Sequence, residues 1–184
     1  MSIKKYKKIK IVFGKINFLR DVNKIFNDDI IHFFNEISHE IINNKINSNY
    51  ADLMTFAFWC RKANLIKISK EYDKKDRMIG RGMALHITPS NVPMNFAYSL
   101  AFGLLSGNNN IVRLPSKNFP QINIICKLFS KILKKKKYAK IFQKICLIKY
   151  ERSDEISSEL SKNVDARLIW GGDKTINQFK KYYT

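Results

Sequence analysis

The chain has 184 residues, 45% of them hydrophobic, with a formal net charge of +19. That length and hydrophobic share fit one globular domain with a core of its own and exclude a disordered chain. Three widely spaced cysteines, Cys60, Cys126 and Cys146, without a CxxC pair exclude a disulfide framework and fit a reduced, cytoplasmic setting.

The charge alone would suggest nucleic acid or an anionic surface. Only seven of the 34 basic residues are Arg, however, and the Lys residues are spread through an Ile- and Asn-rich chain. Arg forks are what phosphate and base recognition favour, so a compositional bias is the reading adopted and no nucleic-acid partner is expected. The first residues lack the apolar stretch of a signal peptide. The longest apolar run, Phe96 to Leu105, falls far short of the roughly 20 residues that a membrane helix needs, so no membrane span is expected.

In chain order, residues 1–20 alternate Lys with Ile, Tyr, Val and Phe. Ile9 to Phe13 reads either as a short strand ending at Gly14 or as part of a basic tail. From Asp21 to Asn47, the residues Ile25, Phe26, Ile30, Phe33, Phe34, Ile37 and Ile41 recur at helical spacing, which predicts one or two amphipathic helices. His32 and His39 lie seven apart there. Two histidines without a third ligand make a poor metal site, and none is expected. Asn47 to Tyr50 is a turn. Asp52 to Lys70 forms a second helical block with Leu53, Phe56, Trp59, Cys60 and Leu65. The charged stretch Glu71 to Arg81 crosses the surface.

After Gly82 the pattern alternates. Met83 to Ile87 is a strand, and Thr88-Pro89-Ser90-Asn91-Val92-Pro93 is a proline-framed polar turn. Met94 to Ser106 is a helix, apolar nearly all round and therefore buried, with Gly107 as its stop. Asn110 to Leu114 is the next strand. Asn118 is expected to cap a helix that has Pro120 in its first turn, with Lys134 to Lys137 as its solvated C-terminal end. Ile145 to Ile148 is a third strand, and Ser153-Asp154-Glu155 opens a helix. Ala166 to Trp170 is a fourth strand, and Gly171-Gly172 leads to a helix that starts at Asp173 and runs to the end. The order βαβαβαβα predicts an α/β fold with an open, Rossmann-like parallel sheet and right-handed crossovers, preceded by N-terminal amphipathic helices. The expected division is a helical segment over 1–79 that packs on the sheet and a partial nucleotide-binding domain over 80–184.

Ligands of such sheets bind outside the carboxyl ends of the strands. Three polar stretches fall on that edge: Thr88 to Pro93, Arg113 to Lys117 and Gly171 to Asp173. Asn91 between two prolines is either a donor to a developing oxyanion or an Asx turn. Gly171-Gly172 is either a phosphate cradle or a tight turn. Neither GxGxxG nor GxxxxGK[ST] occurs.

The segments HITPSNVPMNFAYSLAFGLLSGNNNIVRLPSK and DARLIWGGDKT, with FAFWCRKANL at Phe56 to Leu65, resemble the bacterial fatty-acyl-CoA reductases of bioluminescence systems. That family is a branch of the aldehyde dehydrogenase superfamily. The resemblance runs from the Asp21 region to the end. It implies a truncated aldehyde dehydrogenase-like fold, NADP (or NAD) as cofactor, and reduction of acyl-CoA or another acyl thioester to an aldehyde. It further implies that Ile87, Thr88, Pro89 and Ser90 lie at the nicotinamide end and that Asn91 holds the thiohemiacetal oxyanion. Arg113 and Ser116 would contact the adenosine ribose, and Gly171 and Gly172 would lie near the pyrophosphate. Leu114 stands where many superfamily members have Lys. Arg113 or Lys117 could supply that cation, which leaves NAD and NADP both open. The family's nucleophilic cysteine belongs to a later catalytic domain, expected to be absent here, and Cys126 and Cys146 match no nucleophile position. The chain is thus expected to be a cofactor-binding portion, inactive alone, with a separately encoded catalytic half or an acyl-transferring enzyme as partner. The alternatives are a degenerate fragment that acts only as a binding module and, ranked behind it, a basic nucleic-acid binder.

Overall fold

A computed structural model describes residues 8–16, 21–72 and 74–183. The basic tail over 1–7 and the chain end at Thr184 lie outside the described residues. Five strands form one sheet: β1 (Lys10–Gly14), β2 (Met83–Ile87), β3 (Asn109–Arg113), β4 (Ile145–Lys149) and β5 (Ala166–Ile169). Their spatial order is β1-β4-β3-β2-β5. The pairs β4–β3, β3–β2 and β2–β5 are parallel, as the alternating pattern predicts. β1 joins β4 antiparallel, with an irregularity between Ile11 and Phe13. The strand reading of Ile9 to Phe13 therefore holds, shifted by one residue, but its direction makes the sheet mixed.

The order explains the layers. From β2 the chain steps to β3 and then to β4, and the helices α4 (Asn95–Leu105) and α5 (Pro120–Ile132), the latter followed by the short α6 (Ala139–Phe142), connect those steps. From β4 it passes back across the sheet to β5 through α7 (Asp154–Lys162), and α8 (Asp173–Lys180) follows. Right-handed crossovers in opposite directions put their helices on opposite faces. Strand alternation divides the sheet's side chains in the same way. Ala97, Leu100, Val112, Ile125, Phe129 and Leu147 belong to one core cluster. Leu85, Ile87, Ile111, Ile148, Ile156 and Phe179 belong to the other.

The first face is thickened by the N-terminal helices α1 (Asp28–Ile42), α2 (Ala51–Trp59) and α3 (Lys62–Ser69). The Asn27 side chain caps α1 by accepting from the Asp29 N–H at 3.0 Å, and two acids occupy the first turn. Ile30, Phe33, Phe34, Ile37 and Ile41 then form its fully buried stripe. Each such side chain contributes about 1.5–3 kcal/mol of transfer free energy, so burial rather than helix propensity holds α1.

Several expectations need correction. Ile25 and Phe26 precede α1 in a turn, Phe26 at φ +48, where the Ile25 N–H donates to the Met78 carbonyl and the Phe26 N–H to the Leu105 carbonyl. Their helical spacing with Ile30 was coincidental. The block from Asp52 to Lys70 is two helices, broken at Cys60 and Arg61. Asn118 does not cap α5: Phe119 is the N-cap residue, with no side-chain bond, and Asn118 instead accepts from Lys149. Asp173 is the first residue of α8, with Gly172 as the uncapped N-cap, and α8 ends at Lys180. Ser153 does cap α7, accepting from the Ile156 N–H at 3.3 Å. Gly107 stops α4 at φ +81, where an added Cβ would sit 2.2 Å from the Asn23 carbonyl oxygen.

The lysines after α5 are not simply solvated. Lys135 and Lys137 converge on Glu36 of α1, joined by the Tyr138 hydroxyl at 2.9 Å. Partial burial pushes the Glu36 carboxyl up, but the hydrogen bonds from Lys135, Lys137 and Tyr138 outweigh it and hold it at about 2, below its ordinary 4.5. A depressed folded-state pKa stabilises above the unfolded value and is lost as pH falls through the folded one. Urea unfolding should therefore show Glu36→Gln less stable than wild type at pH 7, with the difference closing as pH falls from 4.5 towards 2. A constant difference across that window would mean that the carboxylate's charge is not what stabilises the junction.

Candidate functional site

The C-terminal ends of β2, β3 and β5 open onto a cavity of about 380 Å³. It lies where the strand order reverses, between β2 and β5. Crevices at such points are where open parallel sheets take ligands, because the loops on either side diverge to opposite faces. Ile87, Thr88, Pro89, Ser90, Asn91, Arg113, Ser116 and Gly171 all line it. These residues come from three separate loops, and the fold brings them to one space. Gly172 is not among the lining residues; nothing lies within 4 Å of where its Cβ would be.

Local bonds fix the cavity's shape. The Thr88 hydroxyl donates to the Arg113 carbonyl at 2.6 Å and so ties the β2 loop to the β3 end. The Ile87 side chain belongs to the core on the α7 and α8 face. Ser90, Asn91 and Ser116 are exposed on the lip. The Arg113 guanidinium lies 4.5 Å from the Tyr150 ring centroid and donates through Nη2 to the Tyr150 carbonyl at 3.2 Å. Its Nε is buried with no hydrogen-bond partner. The Tyr150 hydroxyl in turn meets Ser157 Oγ at 3.1 Å, and Ser157 donates to the Ser153 carbonyl at 2.8 Å. Burial pushes the Tyr150 phenol up.

A second wall comes from residues that the sequence did not single out. Arg152 donates to Gln178 Oε1 at 2.8 Å, and the Gln178 amide donates to Asp154. This chain links the start of α7 to the middle of α8 across the cavity mouth. Trp170, just past β5, also lines the space, and its backbone N–H donates to the Ile87 carbonyl at 2.9 Å.

The three cysteines lie elsewhere. Cys60 and Cys146 are buried and Cys126 is half-buried, none of them lining the cavity. Burial pushes Cys126 up to about 11 and Cys146 to about 12, and raises Cys60 well above its ordinary range. A thiol that stays protonated near neutrality is a poor nucleophile. His32 and His39 are exposed on α1, and His32 Nε2 lies 3.0 Å from Lys62 Nζ. Among the described residues no group of three His, Cys, Asp or Glu side chains could hold a metal ion, and no helix is long and apolar enough to cross a membrane.

The cavity suits an anionic, ring-bearing ligand. It has the Arg113 and Arg152 side chains among its lining residues, hydroxyls on its lip, an uncapped α8 N-terminus beside Gly171, and Trp170 at its edge. A family model described as "Acyl-CoA reductase (LuxC)" matches residues 24–183. No curated protein and no solved structure matches the chain.

Proposed function

The chain belongs to the acyl-CoA reductase (LuxC) family, and from that premise we propose that the cavity binds NADP(H) and serves the reduction of a fatty-acyl thioester to its aldehyde. The observation that carries this reading is the convergence of three separate loops, with Arg113 among their lining residues, on the crevice between β2 and β5. The bound dinucleotide would supply hydride. Arg113 and Ser116 would hold a phosphate or ribose oxygen, and the α8 N-terminus beside Gly171 a second phosphate. Two arginines, Arg113 and Arg152, line the space. That favours the cofactor with the additional phosphate, NADP(H), over NAD(H). Ile87, Thr88, Pro89 and Ser90 would shape the end that receives the reacting ring. Thr88 would do so through its bond to the Arg113 carbonyl rather than by a bond to ligand. Asn91, exposed on the lip, would donate its amide to the oxygen that becomes anionic as the acyl carbon is attacked.

The nucleophile in this scheme is not Cys60, Cys126 or Cys146, all away from the cavity with raised pKa values. Residues 1–184 would therefore bind cofactor but need a thiolate from other polypeptide for turnover, whether a catalytic half or an acyl-transferring partner. The test has two arms. NADPH should raise the melting temperature of the chain, more than NADH does. Acyl-CoA-dependent NADPH oxidation should appear only when polypeptide with the thiolate is added. No thermal shift with either nucleotide would overturn the cavity assignment. Robust turnover by residues 1–184 alone would overturn the account of the nucleophile.

A further inference from the structure

A line of polar side chains runs through the core and ends at the cavity. His86 on β2 and Ser99 on α4 are each fully buried, at 0% exposure. His86 Nδ1 meets Ser99 Oγ at 2.7 Å, and His86 Nε2 meets Asn110 Oδ1 at 2.9 Å. The Asn110 amide nitrogen donates to the Asn108 carbonyl at 2.8 Å, so its Oδ1 must accept. His86 therefore carries its proton on Nε2, and Nδ1 accepts from the Ser99 hydroxyl. Burial lowers His86 to about 4, the bond to Asn110 offsetting part of the shift, so the ring is neutral near pH 7 and the direction of the line is fixed. Ser99 Oγ then accepts from the Trp170 indole N–H at 2.9 Å.

Buried polar groups carry a desolvation cost that apolar residues at the same positions would avoid. What this line does that an apolar core could not is direct a single outward group. Trp170 is 37% exposed and stands at the cavity edge. One face of its indole stacks on Phe102, with centroids 6.5 Å apart and planes 17° apart. The ring is thus held by its nitrogen and by one face, and its backbone is held by Ile87.

We propose that Ser99 and His86 are positioning residues that hold the Trp170 indole as a fixed wall of the dinucleotide cavity. The wall role rests on the NADP(H) reading above; the fixing of the indole does not. A fixed wall lowers the ordering cost of binding, so its loss should appear in affinity.

The experiment uses the full chain with Trp59→Phe, which leaves Trp170 as the sole tryptophan of the original two. Ser99→Ala is compared in that background. In the free protein, Trp170 emission should become more accessible to acrylamide and its anisotropy should fall. NADPH titration, followed by quenching of Trp170, should give an affinity weaker by about fivefold, the effect of one lost hydrogen bond. Asn27→Ala removes the α1 cap away from the cavity and serves as a control for general destabilisation; it should leave both readouts unchanged. Should Ser99→Ala fail to fold, Trp170→Phe is the substitute, because it deletes the indole N–H while Ser99 stays bonded to His86. It is read by NADPH emission and should show a similar loss of affinity. Unchanged emission and affinity in Ser99→Ala, or equal losses in Asn27→Ala, would overturn the proposal. A loosened indole with unchanged affinity would overturn the wall role. Absence of NADPH binding by the wild type would instead remove the cofactor reading, and the free-protein emission would still decide whether the line fixes the indole.

Discussion

Asn91→Ala is expected to lower kcat for acyl-thioester reduction by about 10²–10³, the usual cost of removing one oxyanion donor. The reasoning is positional. Asn91 sits on the cavity lip in the bend between Pro89 and α4, exposed to whatever enters. A donor that acts only on charge developing in the transition state should change kcat with little effect on cofactor affinity. The measurement is steady-state turnover with the thiolate-bearing polypeptide present, beside NADPH binding by thermal shift. A fall in NADPH affinity that accounts for the whole loss would make Asn91 a cofactor-loop residue. A kcat change below about tenfold would exclude it as an oxyanion donor.

Gly103→Ala is expected to destabilise the fold by about 3 kcal/mol, which for a chain of this size lowers the melting temperature by about 6–12 °C. Helix propensity alone predicts the opposite sign, a gain of about 1 kcal/mol. Packing decides. A Cβ on Gly103 would lie 1.9 Å from Asn110 Oδ1 and 2.8 Å from His86 Cε1. Neither neighbour is a free side-chain end: both are held in the buried line, and pushing Asn110 aside breaks its bond to His86. The substitution therefore adds overpacking to an orphaned polar pair. A melting temperature at or above the wild-type value would show that α4 does not approach the sheet this closely at Gly103.

The alternation after Gly82 was legible because each strand is a short apolar run and each helix carries its own start or stop. Ser153 with its acids and Gly107 past the apolar helix both act as the residue types suggest. The parallel strands follow from that order. The direction of β1 does not, since its partner β4 is remote in sequence and no local signal encodes the pairing. Asn118 shows the limit of cap rules: the residue type was right, but a lysine from β4 claimed its side chain. In the cavity, the three loops were found because loops after strands share an edge by topology. Arg152 and Gln178 were missed because their convergence depends on how α7 and α8 lie across the other face, and Trp170 because its indole is held by Ser99 and Phe102 of α4. One sequence signal could have led to the buried line. His86 stands between Leu85 and Ile87 in a fully buried strand, and Ser99 interrupts an otherwise apolar helix face, so each needed a partner.

The pairing of Lys10 with Lys149 also bears on how the chain is made. Synthesis proceeds from the N-terminus, so residues 10–14 leave the ribosome long before β4 exists to receive them. The turns of parallel sheet built from residues 83–113 can assemble meanwhile, since β2 and β3 are neighbours in sequence and in space. The N-terminal strand must wait, apolar side chains unpaired, until residues 145–149 have emerged. Its docking then follows the assembly of β2 and β3, and the nascent segment is exposed to chaperones throughout that interval.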